Sequence, residues 1–255
     1  MSSPAAGSVP ATFARALDAL RARFSPTTIA IACSGGLDSM VLLHLASGWC
    51  REHGHTLLVF HVHHGLSTNA DAWQRHVEAS AAALGVRADH RHVQIDTGGS
   101  GVEAAARKLR YRALGDLCRE HRATLLLTAH HLDDQAETVL LQLLRGSGPA
   151  GLSGMDAANS APELLGNPEL VMARPLLPLS RLDLEAHARA LGLDWVEDES
   201  NSDTRYARNA LRHRVMPALA QAFPGFQQRF ARSAAHAQSA QRLLTELAEG
   251  DVAAL

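Results

Sequence analysis

From Thr28 onward, short apolar runs alternate with stretches that repeat at helical spacing. That pattern belongs to a parallel sheet joined by crossover helices. Thr28-Ile29-Ala30-Ile31-Ala32 predicts a first buried strand, and a helix beginning at about Asp38 carries Val41, Leu42, Leu45 and Trp49 as its apolar stripe. Residues 57–60 predict strand two and 70–84 its crossover helix. Val93 and Ile95 mark strand three, ahead of a glycine-rich turn at Gly98, Gly99 and Gly101 and a basic helix over 102–121. Leu125-Leu126-Leu127 predicts the next strand and 133–144 the next helix. Between 146 and 178 glycine and proline rise and periodicity fades, which predicts a functional loop holding one short strand at 170–173. Helical spacing returns over 181–191 and 208–223, and 225–255 reads as a last, alanine-rich amphipathic helix.

The expected fold class is therefore α/β: a doubly wound, mostly parallel five-stranded sheet with flanking helices, plus a C-terminal helical extension. Its ligand crevice belongs at the carboxyl ends of the strands. The expected division is an N-terminal helix over 1–24, a catalytic domain over 25–218 and a helical linker over 219–255.

Composition narrows the class. The chain of 255 residues is long enough for a full core, and its 46% apolar and 20% charged content is that of a folded globular protein. A net charge of −2 gives no global attraction to nucleic acid, so such a partner would need local basic clusters. Cys33, Cys50 and Cys118 are an odd number without C-x-x-C spacing, which argues against a disulfide framework, a zinc ribbon or a cysteine-bound cluster. No apolar run reaches the roughly 18 residues a membrane span needs, so no membrane partner is expected. The start, 1–10, lacks the apolar region of a secretory signal. A reducing cytoplasm is the expected location.

The strongest local feature is Ser34-Gly35-Gly36-Leu37-Asp38-Ser39, between a buried strand and a helix. Two glycines let the backbone turn tightly and aim successive N–H groups at one spot, and the helix amino end adds positive potential. Ser34 and Ser39 offer hydroxyls. Neither a Walker A loop nor G-x-G-x-x-G is present. Asp38 would repel phosphate unless a cation lies between, and Mg²⁺ is the expected one. The plainer alternative is a helix N-cap with glycines for the turn.

This run resembles the S-G-G-x-D-S loop of PP-loop (N-type) ATP pyrophosphatases, whose fold is adenine nucleotide alpha hydrolase-like. The resemblance implies ATP cleaved between its α and β phosphates to adenylate an oxygen, after which a nitrogen or sulfur nucleophile displaces AMP. Four further segments resemble tRNA(Ile)-lysidine synthetases and extend the likeness to Leu219. The first is His61-Val62-His63-His64-Gly65-Leu66-Ser67. Its histidines suggest metal ligation, but nothing completes a ligand set, and packing or adenosine contact is the favoured reading. The second is Glu103-Ala104-Ala105-Ala106-Arg107-Lys108-Leu109-Arg110-Tyr111-Arg112. Alone it reads as a solvated helix with a Glu103–Arg107 pair. The resemblance makes Arg107 and Arg110 ATP-binding candidates, with His61, and Arg112 a tRNA-binding one.

The third segment runs from Thr128-Ala129-His130-His131-Leu132-Asp133-Asp134-Gln135-Ala136-Glu137-Thr138 to Arg145-Gly146-Ser147-Gly148, with Gly151-Leu152-Ser153-Gly154-Met155 continuing it. Asp134 and Glu137, three apart, project from one side of a first helical turn and would suit an ammonium or Mg²⁺. Alternatively, Asp133 or Asp134 caps the helix with Glu137 as capping-box partner. The resemblance implies that this stretch lines the ATP and lysine site. The fourth is Trp195-Val196-Glu197-Asp198-Glu199-Ser200-Asn201-Ser202-Asp203, then Tyr206, Arg208, Asn209, Leu211 and Arg212. Arg208 and Arg212, four apart, both reach a phosphate or carboxylate. Asp198, Ser200, Asn201 and Asp203 read as turn and cap chemistry.

The implied reaction has two steps. Carbon-2 oxygen of a wobble cytidine attacks the α-phosphate and pyrophosphate leaves; the ε-amine of free L-lysine then attacks carbon 2 and expels AMP. Catalytic candidates are Asp38, Asp134 and Glu137. The ATP set is Ser34, Gly35, Gly36, Leu37, Asp38, Ser39, His61, Arg107 and Arg110, with Asp38 on Mg²⁺. Asp134 and Glu137 are the lysine candidates, and Arg112, Arg145, Arg208, Asn209 and Arg212 the tRNA candidates. The implied partner is a tRNA(Ile) with a CAU anticodon; oligomeric state stays open, a homodimer included. Longer members of the family continue into C-terminal domains that grip tRNA, so 219–255 is expected to lead towards such a domain; the chain is either a fragment or a short variant with weaker tRNA discrimination, and poor tRNA affinity is expected of it. The rivals are a tRNA thiolase of the same fold, disfavoured by the missing C-x-x-C, and a non-catalytic ATP-binding regulator.

Overall fold

The computed structural model describes residues 8–65, 67–94, 102–199 and 203–253. They form two compact units, Met1–His130 with Ala157–Glu197, and His131–Asp156 with Asp198–Leu255.

The first unit is built on a six-stranded sheet in the order β3-β2-β1-β4-β6-β5. The strands are β1 (Thr28–Ala32), β2 (Thr56–His63), β3 (Arg87–His92), β4 (Leu125–Leu127), β5 (Ala158–Ser160) and β6 (Val171–Ala173). All neighbours are parallel except β5 and β6. The helices are α1 (Val9–Phe24), α2 (Leu37–His53), α3 (Ala70–Ala83), α4 (Val102–Glu120), the short α7 (Pro162–Leu165) and α8 (Arg181–Ala190). Side chains alternate across each strand, so the two faces bury different sets. Ile29, Ile31, Val59, Leu125 and Leu127 pack with α1, α2, α3 and α8; Ala30, Leu58, Phe60, Leu126 and Met172 pack with α4 and α7. Strand order reverses at β1, which has β2 on one side and β4 on the other. The loop leaving β1 therefore opens at a topological switch point, where ligands of such sheets bind.

Two strands differ from expectation. Strand three is Arg87–His92 rather than the region of Val93 and Ile95. It is a polar edge strand whose ladder, not its hydropathy, defines it, and Val93 still donates to the His63 carbonyl just beyond it. Ile95 and the turn at Gly98, Gly99 and Gly101 lie outside the described residues. The sixth strand is β5, three half-polar residues pairing antiparallel to β6. The 146–178 segment is accordingly not one loop but short elements in succession.

The second unit is helical: α5 (Leu132–Leu144), α6 (Pro149–Leu152), α9 (Ala207–Ala210), α10 (Met216–Ala222) and α11 (Phe226–Ala253), around Ala136, Met216 and Phe226. The single helix expected over 208–223 is interrupted by a π turn, Leu211–Val215. Proline cannot donate a backbone hydrogen bond and crowds the carbonyl four residues back. Here the amide just before Pro217, that of Met216, donates to the Leu211 carbonyl five residues back, and the widened turn absorbs the break.

Candidate active site

In the first unit, the chain leaving β1 stays tied to β2 for one more residue, since the Cys33 amide donates to the Phe60 carbonyl at 2.9 Å. Gly35 then takes φ +88°, a conformation side chains rarely adopt, and a Cβ there would lie 3.0 Å from Val196 Cγ2. Gly36 is the N-cap of α2 and supplies no side-chain cap. Ser39 Oγ accepts from the Gly35 amide (3.1 Å) and donates to the Gly36 carbonyl (2.8 Å), and Ser34 Oγ accepts from the Gly36 amide (3.3 Å). The Gly35 carbonyl accepts from the Val196 amide at 3.0 Å. Both glycine carbonyls are thus tied back.

Two expectations change in consequence. The glycine amides are held by the serines, so the donors offered to an anion are first-turn amides of α2, which have no acceptor within a helix. Ser39 is buried and frames the turn, leaving exposed Ser34 as the hydroxyl within a ligand's reach. Leu37 is a core side chain whose amide lies in the first turn of α2. Asp38 sits in the first turn with Arg181 Nε 3.9 Å from its Oδ1. A hard carboxylate beside this turn is a donor of the kind Mg²⁺ accepts.

His61 is buried at the end of β2, and its Nδ1 lies 2.9 Å from the Cys33 carbonyl. A carbonyl only accepts, so the ring proton is on Nδ1. Burial, the largest influence, lowers its pKa, and His64, His63 and His90 act in the same direction against the Cys33 hydrogen bond. His61 anchors the turn from below as a neutral imidazole. His63 is drawn to Asp71 (2.8 Å) and stacks on His92, and among the described residues no three histidines, cysteines or acids converge as a metal set. Arg107 and Arg110 lie on α4, on the sheet face opposite α2, with their guanidinium groups 4.8 and 5.4 Å from the Tyr111 ring. Among the described residues no hydrogen bond joins either to the loop. Arg112 packs over Gly166, leaving no space there for a Cβ.

The second unit gathers the other acidic and basic candidates. The N-cap of α5 is His131, not an aspartate, and its capping-box partner is Asp134 rather than Glu137. The Asp134 amide donates to His131 Nδ1 (3.4 Å) and the His131 amide to Asp134 Oδ2 (3.1 Å). Glu137, its side chain 2% exposed, accepts from Arg208 Nε (2.8 Å) and Arg212 Nε (2.7 Å). Arg212 Nη2 also reaches Glu137 Oε2 (3.0 Å) and Asp134 Oδ1 (3.3 Å). Asp134 and Glu137, expected to suit an ammonium or Mg²⁺, each have an arginine partner in this structure. They are half of a network of two acids and two arginines. Asn209 donates to the Asp203 carbonyl at 3.0 Å and shapes the turn before α9. Ser200, Asn201 and Ser202 lie outside the described residues. Arg145 is exposed at the end of α5, at the rim of an apolar groove lined by Leu141, Leu144, Leu211 and Val215, with Arg214 beside it. The Gly154–Met155 segment is pinned by Gln135, whose amide both donates to the Met155 carbonyl (2.9 Å) and accepts its N–H (2.7 Å).

Sequence reasoning missed Val196 and Arg181 as neighbours of the phosphate turn. No local signal marks either, because each meets the turn from more than 140 positions away.

A family model described as a PP-loop domain matches residues 10–219. The tRNA(Ile)-lysidine synthase of Burkholderia mallei (strain ATCC 23344) is 53% identical over 243 residues, covering 93% of this chain and 47% of that protein. The tRNA(Ile)-lysidine synthase of Ralstonia nicotianae (strain ATCC BAA-1114 / GMI1000) is 50% identical over 229 residues, covering 89% and 48%. The chain spans about half the length of the curated relatives it matches. Among solved structures, the U34-tRNA thiolase NcsA from Methanococcus maripaludis, described with its [4Fe-4S] cluster, superposes with a TM-score of 0.74 at 16% identity, over 89% of this chain and 78% of that one. At that identity the likeness is one of fold alone.

Proposed function

Because the chain belongs to the PP-loop family, we propose that it carries out the ATP-dependent ligation of L-lysine to carbon 2 of the wobble cytidine of a tRNA(Ile) with a CAU anticodon. The cytidine O2 attacks the α-phosphate of ATP, pyrophosphate leaves, and the lysine ε-amine, once deprotonated, displaces AMP from carbon 2. The observation that carries the reading is the turn at Ser34–Ser39, with both glycine carbonyls tied back and an uncapped helix start facing the sheet's switch point. The reading is supported by relatives at 50–53% identity that are named tRNA(Ile)-lysidine synthases.

In this reading the α2 amides and Ser34 hold the leaving pyrophosphate, and His61 supports the adenosine side of the turn. Phosphoryl chemistry of this kind needs positioned donors more than a protein nucleophile. Mg²⁺, held by Asp38 and phosphate oxygens, would neutralise charge on the triphosphate. The Asp134, Glu137, Arg208 and Arg212 network is neutral overall, and free lysine also carries an acid and amines. Exchange of partners between the two would seat lysine without leaving a buried charge unpaired. Arg107 and Arg110 serve the rest of ATP, and Arg112, Arg145 and Asn209 the tRNA.

Transfer of labelled lysine into an AUA-reading tRNA tests the proposal. Incorporation should need ATP, release AMP and pyrophosphate in equal amounts, and vanish in Asp38→Ala. AMP release that continues unchanged without lysine would overturn it, because AMP leaves only when the amine attacks.

A further inference from the structure

A cation at the first position of a helix works against the helix dipole, whose positive end lies there. Arg181 takes that position in α8, behind the N-cap Ser180 and its capping-box partner Asp183. The helix itself therefore gives no reason for an arginine. Its neighbour in α2 does: Arg181 Nε stands 3.9 Å from Asp38 Oδ1, in the first turn after the glycine pair. Both helices pack on the same face of the sheet, so their amino ends meet at this ion pair, beside the phosphate turn.

A triphosphate brings several negative charges, and Ser34–Ser39 contains no lysine or arginine to meet them. Walker loops solve that problem with a lysine inside the loop. Here Asp38 adds a negative charge instead. The Arg181 side chain is 49% exposed, within reach of a ligand, and the planar guanidinium fork matches two phosphate oxygens at once. We infer that Arg181 is a side-chain cation of this phosphate site, acting beside Mg²⁺, paired with Asp38 before nucleotide arrives and transferred to the β- or γ-phosphate afterwards. It would then steady the part of ATP that departs as pyrophosphate. The inference rests on the nucleotide reading above and adds a residue to it.

Binding of the fluorescent analogue mant-ATP, with AMP as competitor, tests it in wild type, Arg181→Gln, Arg181→Lys and the control Arg189→Gln. Arg189 lies on the same helix, paired with Glu185. Arg181→Gln should weaken mant-ATP binding on the order of tenfold to a hundredfold, the worth of a charge-assisted hydrogen bond. AMP, which lacks the outer phosphates, should bind unchanged; Arg181→Lys should recover part of the loss and Arg189→Gln show none. Equal weakening of ATP and AMP would mark Arg181 as structural and overturn the inference, as would unchanged mant-ATP binding. If Arg181→Gln does not fold, Arg181→Lys decides by the same comparison, a loss selective for ATP supporting the inference and a shared loss overturning it. Failure of the wild type to bind mant-ATP would bring down the nucleotide reading itself.

Discussion

Arg208 Nε donates to Glu137 Oε2 at 2.8 Å, joining residues 71 positions apart, and Arg212 takes the other oxygen. With its side chain almost wholly buried, Glu137 is the acceptor that lets two arginines sit against α5. Breaking a buried pair from one side leaves a charge without compensation. Glu137→Ala should therefore destabilise the protein by about 3–5 kcal/mol. Arg208→Ala should cost less, because the arginine is more exposed and Arg212 still serves the acid. Urea unfolding of the two variants checks the order; equal losses would contradict it.

Gly35→Ala should disable the phosphate turn. At φ +88° any side chain is strained, and its Cβ would press on Val196 Cγ2 at 3.0 Å. A cost of about 1–3 kcal/mol is expected, together with loss of mant-ATP binding. Adding Val196→Ala should relieve the crowding but not the backbone strain, so it should restore only part of the melting temperature and of the binding.

Acid should loosen the first unit through His61. Burial holds its pKa below the ordinary 6.5, so between that value and the lower folded one the unfolded chain binds a proton that the folded chain refuses. Its contribution is complete above 6.5 and fades as pH falls through and below it. His187 acts in the same sense, lowered by burial and by His44. The urea midpoint should drop between about pH 7.5 and about pH 5.5, and His61→Asn, which can keep a donor to the Cys33 carbonyl, should flatten part of that drop.

The three thiols should be silent in the folded protein. Cys33, Cys50 and Cys118 are buried, burial pushes Cys50 and Cys118 up to about 12, and Cys33 is raised as well. Since the thiolate is the reactive form, Ellman's reagent should react with all three only after denaturation. Rapid modification of the native chain would contradict their placement.

The features legible along the chain were those carried by neighbouring residues. Thr28–Ala32 and Leu125–Leu127 are apolar runs between turn signals, and both strands lie where those runs predict. The turn at Ser34–Ser39 announced itself because glycines, a helix start and hydroxyls stand side by side. Arg87–His92 and Ala158–Ser160 did not, since edge strands need no apolar stripe and become strands through the partner they pair with. Nor could spacing alone assign Glu137 to Arg208 and Arg212, the Gly35 carbonyl to Val196, or Asp38 to Arg181. Sequence by itself determined the apolar strands, most of the helices and the phosphate turn, because backbone preference and side-chain periodicity are local. Only the tertiary structure decided which charge answers which, because that depends on the distance between side chains after the sheet and helices have packed, and the linear order of residues does not carry it.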